Sequence, residues 1–280
     1  MGVPYAEVIG DPIAHSKSPL IHKFWLGKLG LPGDYRNALV THDELANYLE
    51  SRCRDPHWRG CNITAPLKEK ILALTQLSDL RVKAVGAANC LVRRDGAFHL
   101  YNTDVDGVSA ALRLESLRFK RVLIVGAGGA ARAVLFHLKQ LHAPRVAVLA
   151  RDPSKAEPLR EISPPKEALA LEFYGFEEVA EAIGGVHLII NASPLGSSSS
   201  AQMPDAIINE LQHAARDATV FDMVYDPLRT RLLTAARGLR FRVVDGLEML
   251  VGQAASAFEL LFGAPAPRQH DAELRELLTR

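Results

Sequence analysis

Gly126-Ala127-Gly128-Gly129-Ala130-Ala131 follows directly on the β-branched run Val122–Val125 and leads into Val134, Leu135, Leu138 and Leu141 at helical spacing. Strand, glycine turn and helix in that order form a cradle for a pyrophosphate. Gly126 permits the tight turn, Gly128 lets backbone approach a phosphate, and Ala131 stays small where helix meets strand. The helix start around Gly129 and Ala130 offers unpaired N–H groups and a positive dipole end. A second apolar strand, 145–150, supplies the strand–helix–strand context that a glycine pattern alone lacks. At its end, where an acidic residue usually holds the ribose diol of NAD, stand Arg151 and, one turn on, Lys155. Two cations suit a 2′-phosphate, so the expected cofactor is NADP. NAD is the alternative, because Asp152 could take a ribose hydroxyl.

Four further places carry polar groups where sheet proteins hold ligands. Ser16 and Ser18 flank Lys17 between a strand over 5–9 and a helix begun by Pro19; a cap for that helix is the plainer role for Ser18. Lys68 lies at a helix start set up by Pro66. The dipole there disfavours a cation, one way to lower a lysine pKa toward working pH, although a solvated lysine beside Lys70 has the same spacing. Asp104 sits between a strand and a helix over 108–114; Asp106 reads as the helix cap, which leaves Asp104 without a structural role. Gln253 is a long amide in an otherwise apolar stripe of Met249, Leu250, Ala257 and Leu261.

The elements that must position these groups follow from patterning. Strands are expected at 35–40, from Trp58, and at 84–92 and 97–101 around an Asp95-Gly96 turn, with a helix over 42–52. Beyond Arg121 strands and helices alternate, with strands at 186–190, 220–224 and 240–244, a short helix at 178–183 and a loop at 163–165, which argues a parallel sheet. A chain of 280 residues, 48% hydrophobic and 23% charged, accommodates two domains. Net charge of +1 points away from nucleic acid or an acidic membrane surface, and no apolar run is long enough to span a bilayer. Three cysteines without a C-x-x-C pair fit a reducing cytoplasm and give no zinc pattern; no metal is expected. The expected partner is a small molecule, with a homodimer left open.

Seven segments together resemble the shikimate dehydrogenase family: 8–19, Asn62-Ile63-Thr64-Ala65-Pro66-Leu67-Lys68, Tyr101-Asn102-Thr103-Asp104, 126–131, 191–196, Asp222-Met223-Val224-Tyr225 and 246–253. The resemblance spans essentially the whole chain in order and spacing. It implies an α/β protein of two domains, an N-terminal α/β substrate domain (1–105) and a Rossmann-type parallel-sheet nucleotide domain (106–245), with helices at 246–280 packing back on the first. The active site would lie in the cleft between domains. The implied activity is oxidation of a ring hydroxyl of shikimate with NADP. Ser16 and Ser18 would hold the carboxylate, and Thr64, Asn89, Asp104 and Gln253 ring hydroxyls, with Tyr225 nearby. Lys68 and Asp104 would be the catalytic pair. Gly126, Gly128, Gly129, Ala130, Arg151, Lys155, Met223 and Gly246 would contact the cofactor.

Some positions depart from the family pattern. Cys90 stands where threonine is common, Lys23 replaces asparagine after His22, Ala150 and Asp152 flank Arg151, and a serine run follows Gly196. These bear on preference among shikimate, quinate and aminoshikimate. A methyltransferase would want an acidic residue where Arg151 stands, and a sensor without turnover should lack Lys68 or Asp104.

Overall fold

The computed structural model describes residues 2–75, 77–113, 120–143, 145–162 and 170–280, with the backbone alone at Lys155 and Glu157. The expected loop at 163–165 and the helix end at Leu114 lie outside the described residues. The chain divides into two units, Met1–Asp106 with Val251–Arg280, and Gly107–Leu250.

The first unit is built on five strands: β1 (Tyr5–Gly10), β2 (Asp34–Leu39), β3 (Trp58–Ile63), β4 (Cys90–Arg94) and β5 (Ala97–Tyr101). They lie in the order β2-β1-β3-β4-β5, with β1 parallel to β2 and β3, and β3, β4 and β5 antiparallel. Asp95 and Gly96 turn the β4–β5 hairpin with φ of 51° and 78°, the left-handed pair that a twisted two-residue hairpin wants. Ile9, Trp58, Ile63, Leu67 and Leu91 form one core, and Ala6, Val8, Tyr35, Cys90, Ala257 and Leu261 another.

The expected strand over 84–92 is corrected. Leu80–Val85 is a helix, started by Asp79, whose carboxylate accepts from Val82 N–H at 2.7 Å, and ended by Gly86 at φ 67°. The cap and the left-handed glycine outweigh the β-branched character of Val82 and Val85. The helix expected at 42–52 spans Leu45–Cys53, after a Thr41–Glu44 turn. Asp106 is no cap either. Its helix, Asp104–Leu112, begins two residues earlier, and Asp106 pairs with Arg81 at 2.6 Å.

The second unit carries β6 (Arg121–Val125), β7 (Arg145–Leu149), β8 (Ala170–Tyr174), β9 (Leu188–Asn191), β10 (Thr219–Asp222) and β11 (Arg242–Val244). All pair in parallel, in the order β11-β10-β9-β6-β7-β8. Succession reverses direction between β9 and β6, so the glycine turn leaves the sheet at its topological switch point, where doubly wound sheets bind ligands. Strands buried on both faces explain the continuous aliphatic runs, such as Val122–Val125 at 0% exposure. No described helix is long and apolar enough to cross a membrane.

His22, on the helix Ser18–Leu29, is wholly enclosed in the first unit. Its ring stacks on Tyr35 at 4.0 Å and 6°, with Trp25 and Phe258 each 5.8 Å away. Burial pushes its pKa down to about 3. Below the unfolded value of about 6.5 the unfolded chain takes up a proton that the folded chain refuses, so stability falls as pH falls toward 3. In urea melts between pH 6.5 and 4.5, His22→Phe should flatten the pH slope, by about 0.7 kcal/mol per unit at the upper end and about 1.4 kcal/mol per unit at the lower, relative to the parent. Parallel slopes would show that His22 accepts a proton while folded.

Candidate active site

Two separate constructions emerge, one in each unit. In the first, β3 ends at Ile63 and the chain turns through Thr64-Ala65-Pro66 into the short helix Leu67–Lys70. Thr64 is tied to β1, its N–H donating to Ile9 C=O at 2.9 Å and its methyl lying against Gly10, where a Cβ would come within 2.4 Å. Lys68 is fixed along its backbone, its carbonyl accepting from Ala88 N–H at 2.9 Å. Its ammonium reaches Asp104 Oδ2 at 2.6 Å, with side-chain exposures of 21% and 6%. The pair is largely withdrawn from water but open on one side.

Asn89 completes the arrangement. Its Nδ2 donates to Asp104 Oδ1 and to Thr103 Oγ1, both at 2.9 Å, and its Oδ1 accepts from Thr103 N–H at 2.7 Å. The amide of Gln253, on the helix Gly246–Phe262, comes within 3.4 Å of Asn89 Nδ2 and 3.5 Å of Thr103 Oγ1. Lys68, Asn89, Asp104 and Gln253, far apart in sequence, thus meet within one cluster. Asp104 also starts its own helix, where the dipole favours a carboxylate.

Ser16 and Ser18 sit at the end of the loop after β1. Ser16 Oγ accepts from Ser18 N–H at 3.3 Å. Ser18 does not cap its helix: the capping position is Lys17, with no side-chain cap bond, so the plainer role considered for Ser18 is not the one observed. Sequence reasoning missed Thr103, and with it the pair Tyr35 and Asn62. Tyr35 O–H donates to Asn62 Oδ1 at 2.6 Å, and Asn62 Nδ2 donates to Asn89 C=O at 3.2 Å. The run Asn102-Thr103-Asp104 held the signal for Thr103. Cys90, singled out as a departure, faces the core at 0% exposure, and burial pushes its thiol up to about 12. It packs rather than binds. Lys23 is an exposed partner of Asp34 at 3.0 Å.

In the second unit, Gly126 turns at φ 103°, and a Cβ there would lie 2.9 Å from that of Ser193. Gly128 precedes the helix Gly129–Gln140 with no side-chain cap, leaving the first N–H groups, including those of Gly129 and Ala130, presented as an anion site. Ala131 is fully buried against the sheet. Met223 and Gly246 meet, since a Cβ on Gly246 would come 2.4 Å from Met223 C=O. Asp222, at 0% exposure, braces that loop: it accepts from Asn191 Nδ2 at 2.8 Å, Val224 N–H at 3.1 Å and Thr230 Oγ1 at 2.6 Å. Burial raises its pKa. Tyr225 is half-buried and its phenol pKa is likewise raised by burial. Arg151 is exposed at the end of β7, and the Lys155 side chain lies outside the described residues. Asp152 Oδ1 is engaged locally, accepting from Ser154 N–H at 3.1 Å and Ser154 Oγ at 2.6 Å. The glycine turn, the uncapped helix start and the close Met223–Gly246 approach fit a dinucleotide.

A doubly wound sheet with a phosphate cradle, and a lysine–carboxylate–amide cluster in a separate α/β unit, define a nicotinamide-dependent oxidoreductase acting on an alcohol. Comparison with known proteins narrows the class. Residues 8–91 match the shikimate dehydrogenase substrate binding domain, 109–223 the shikimate / quinate 5-dehydrogenase model and 246–273 the shikimate 5′-dehydrogenase C-terminal domain. The chain is 47% identical to shikimate dehydrogenase (NADP(+)) of Sphingopyxis alaskensis, over 98% of this chain and 97% of the relative. It superposes on shikimate 5-dehydrogenase of Thermus thermophilus, solved with NADP(H) and shikimate, with a TM-score of 0.81 and 32% identity, covering 98% and 99% of the two chains. Quinate dehydrogenase of Corynebacterium glutamicum, in complex with NAD, gives 0.84 and 26%, covering 98% and 99%. The chain belongs to the shikimate dehydrogenase family.

Gly126→Ala puts a Cβ into a left-handed backbone and against Ser193, a strain of about 1–3 kcal/mol. Dinucleotide affinity, followed by fluorescence titration, should fall about tenfold or more; Gly128→Ala, whose Cβ would meet no protein atom, should leave the fold intact and lower affinity through the phosphate alone. Unchanged affinity in both variants would place the phosphates away from this turn.

Proposed function

We propose that the protein catalyses the reversible NADP-dependent oxidation of shikimate to 3-dehydroshikimate, with Met1–Asp106 and Val251–Arg280 as the substrate unit and Gly107–Leu250 as the nucleotide unit. The observation that carries the reading is the 2.6 Å Lys68–Asp104 pair, braced by Asn89, in a chain so similar to NADP-dependent shikimate dehydrogenases.

Oxidising a secondary alcohol removes a hydride from carbon and a proton from oxygen. Bound nicotinamide supplies the hydride acceptor. The chain's own residues then handle the oxygen. Lys68 and Asp104 meet at the reacting hydroxyl and relay its proton, returning it when the reaction runs toward the alcohol. Asn89 holds Asp104 Oδ1, so the carboxylate keeps its orientation as charge develops beside it. Gln253 and Thr64 bind neighbouring ring hydroxyls, and Ser16 and Ser18 bind the carboxylate. Gly126, Gly128, Gly129 and Ala130 would hold the pyrophosphate, Met223 and Gly246 the nicotinamide end, and Arg151 with Lys155 the 2′-phosphate. The likeness to a quinate dehydrogenase with NAD makes quinate with NAD the second reading.

Absorbance of reduced nicotinamide, with shikimate or quinate and either cofactor, separates the readings: the pair of shikimate and NADP should give the highest kcat/KM. Lys68→Ala should abolish turnover, with kcat down by about 10³ or more, while NADP affinity stays within about twofold. Retained turnover would remove Lys68 from the chemistry. Arg151→Ala should raise KM for NADP about tenfold or more and leave KM for NAD nearly unchanged, since one phosphate contact is lost. An equal effect on both cofactors would put the 2′-phosphate elsewhere.

A further inference from the structure

Lys17 stands between the two serines assigned to the substrate carboxylate, yet its ammonium is engaged elsewhere. It donates to the carbonyl of Leu278, in the last turn of the helix Asp271–Leu278. The electrostatics favour that choice. At its own position Lys17 precedes the helix Ser18–Leu29, whose positive dipole end repels a cation, whereas the end of Asp271–Leu278 presents unpaired carbonyls and a negative dipole.

The helix Ser18–Leu29 meets the C-terminal segment at two further places. Lys28 Nζ pairs with Glu273 Oε2 at 2.6 Å, and Phe24 meets His270 edge to face at 6.5 Å. Leu274 and Leu278, at 0% and 2% exposure, anchor the helix Asp271–Leu278 by burial. The loop side of Lys17 is equally constrained: its carbonyl accepts from Ile21 N–H at 3.2 Å, Ser16 N–H donates to Ile13 C=O at 3.1 Å, and Ser18 N–H donates to Ser16 Oγ at 3.3 Å. A displacement of Lys17 therefore moves both serine hydroxyls.

We propose that the helix Asp271–Leu278 is a latch on the carboxylate-binding loop, with Lys17 the positioning residue that sets the Ser16 and Ser18 hydroxyls through the Leu278 carbonyl. This rests on the reading that those serines hold the substrate carboxylate. Lys17 itself does not touch the acid. Its contribution is to ground-state placement and therefore to KM.

The test is steady-state kinetics of the full chain with shikimate and NADP. Lys17→Met should raise KM for shikimate roughly tenfold, with kcat and KM for NADP within about twofold, and Lys17→Arg, which still reaches the carbonyl, should restore most of the affinity. Removal of 271–280 should raise KM to the same extent, and adding Lys17→Met to that truncation should change it no further. If the truncated chain does not fold, Glu273→Gln serves instead: it should raise KM about twofold to threefold in the parent and not at all with Lys17→Met. Effects that multiply would make Lys17 a direct carboxylate ligand and overturn the latch, as would an unchanged KM in Lys17→Met. Ser16→Ala and Ser18→Ala report on the underlying reading: if they leave KM for shikimate unaltered, the carboxylate assignment has failed whatever Lys17 does.

Discussion

A carboxylate at the head of a helix, almost shut off from water, has to be compensated on every side, and Asp104 is that group. Its helix start, the Lys68 ammonium and the Asn89 amide supply the compensation. Each is placed by a different part of the first unit: Lys68 by the turn that ends β3, Asn89 by the segment entering β4, and Asp104 by the exit from β5. An ion pair so placed gains little net stability, because desolvation offsets the attraction, but losing one member strands a charge at a cost of about 3–5 kcal/mol. The antiparallel register of β3, β4 and β5 is what keeps the three together. Asn89 is held by its backbone as firmly as by its side chain, with N–H to Tyr101 C=O at 3.1 Å and C=O accepting from Ile63 N–H at 2.8 Å.

A second buried carboxylate in the same unit stands in contrast to Asp104. Glu7, at 3% exposure, accepts from Arg52 Nε at 2.7 Å, Arg52 Nη2 at 2.9 Å, Tyr48 O–H at 2.6 Å and Trp58 Nε1 at 3.0 Å. Three of those donors converge on Oε2 and the fourth meets Oε1, so the carboxylate is engaged by the fold on both oxygens. Glu7 therefore fixes β1 against β3 and the helix Leu45–Cys53. Asp104 takes one donor on each oxygen and keeps acceptor capacity for a substrate hydroxyl. Burial alone does not distinguish the two carboxylates; the number of donors each accepts does.

The parallel sheet was legible because its strands are buried on both faces and read as unbroken aliphatic runs, and because the glycine turn left little room for any other geometry. The first unit was harder. Leu80–Val85 has the composition of a strand, and only the Asp79 cap and Gly86 mark it as a helix. Asp106 looked like a cap because aspartate two residues before an apolar run usually is one; its real partner, Arg81, is a long-range choice that spacing does not encode. Cys90 drew attention through substitution within a binding motif, yet alternation along β4 turns it into the core with Ala257 and Leu261. Period-two alternation contained that answer, but the strand start at Cys90 was needed to apply it. Thr103 escaped notice because its hydroxyl works on other side chains rather than on a ligand.

The choice of cofactor turns on a local competition of the same kind. An acidic residue beside Arg151 would ordinarily argue for a ribose diol and against a phosphate. Asp152, however, folds its Oδ1 back onto the N–H and hydroxyl of Ser154, an Asx-type turn closed within three residues. To receive a ribose hydroxyl that oxygen would have to give up bonds already made at almost no entropic cost. Arg151 stays exposed at the strand end, and a guanidinium is the group best shaped to take a phosphate in two parallel bonds. The Ser154 turn thus occupies one carboxylate oxygen of Asp152 and weakens the case for that residue as a ribose ligand.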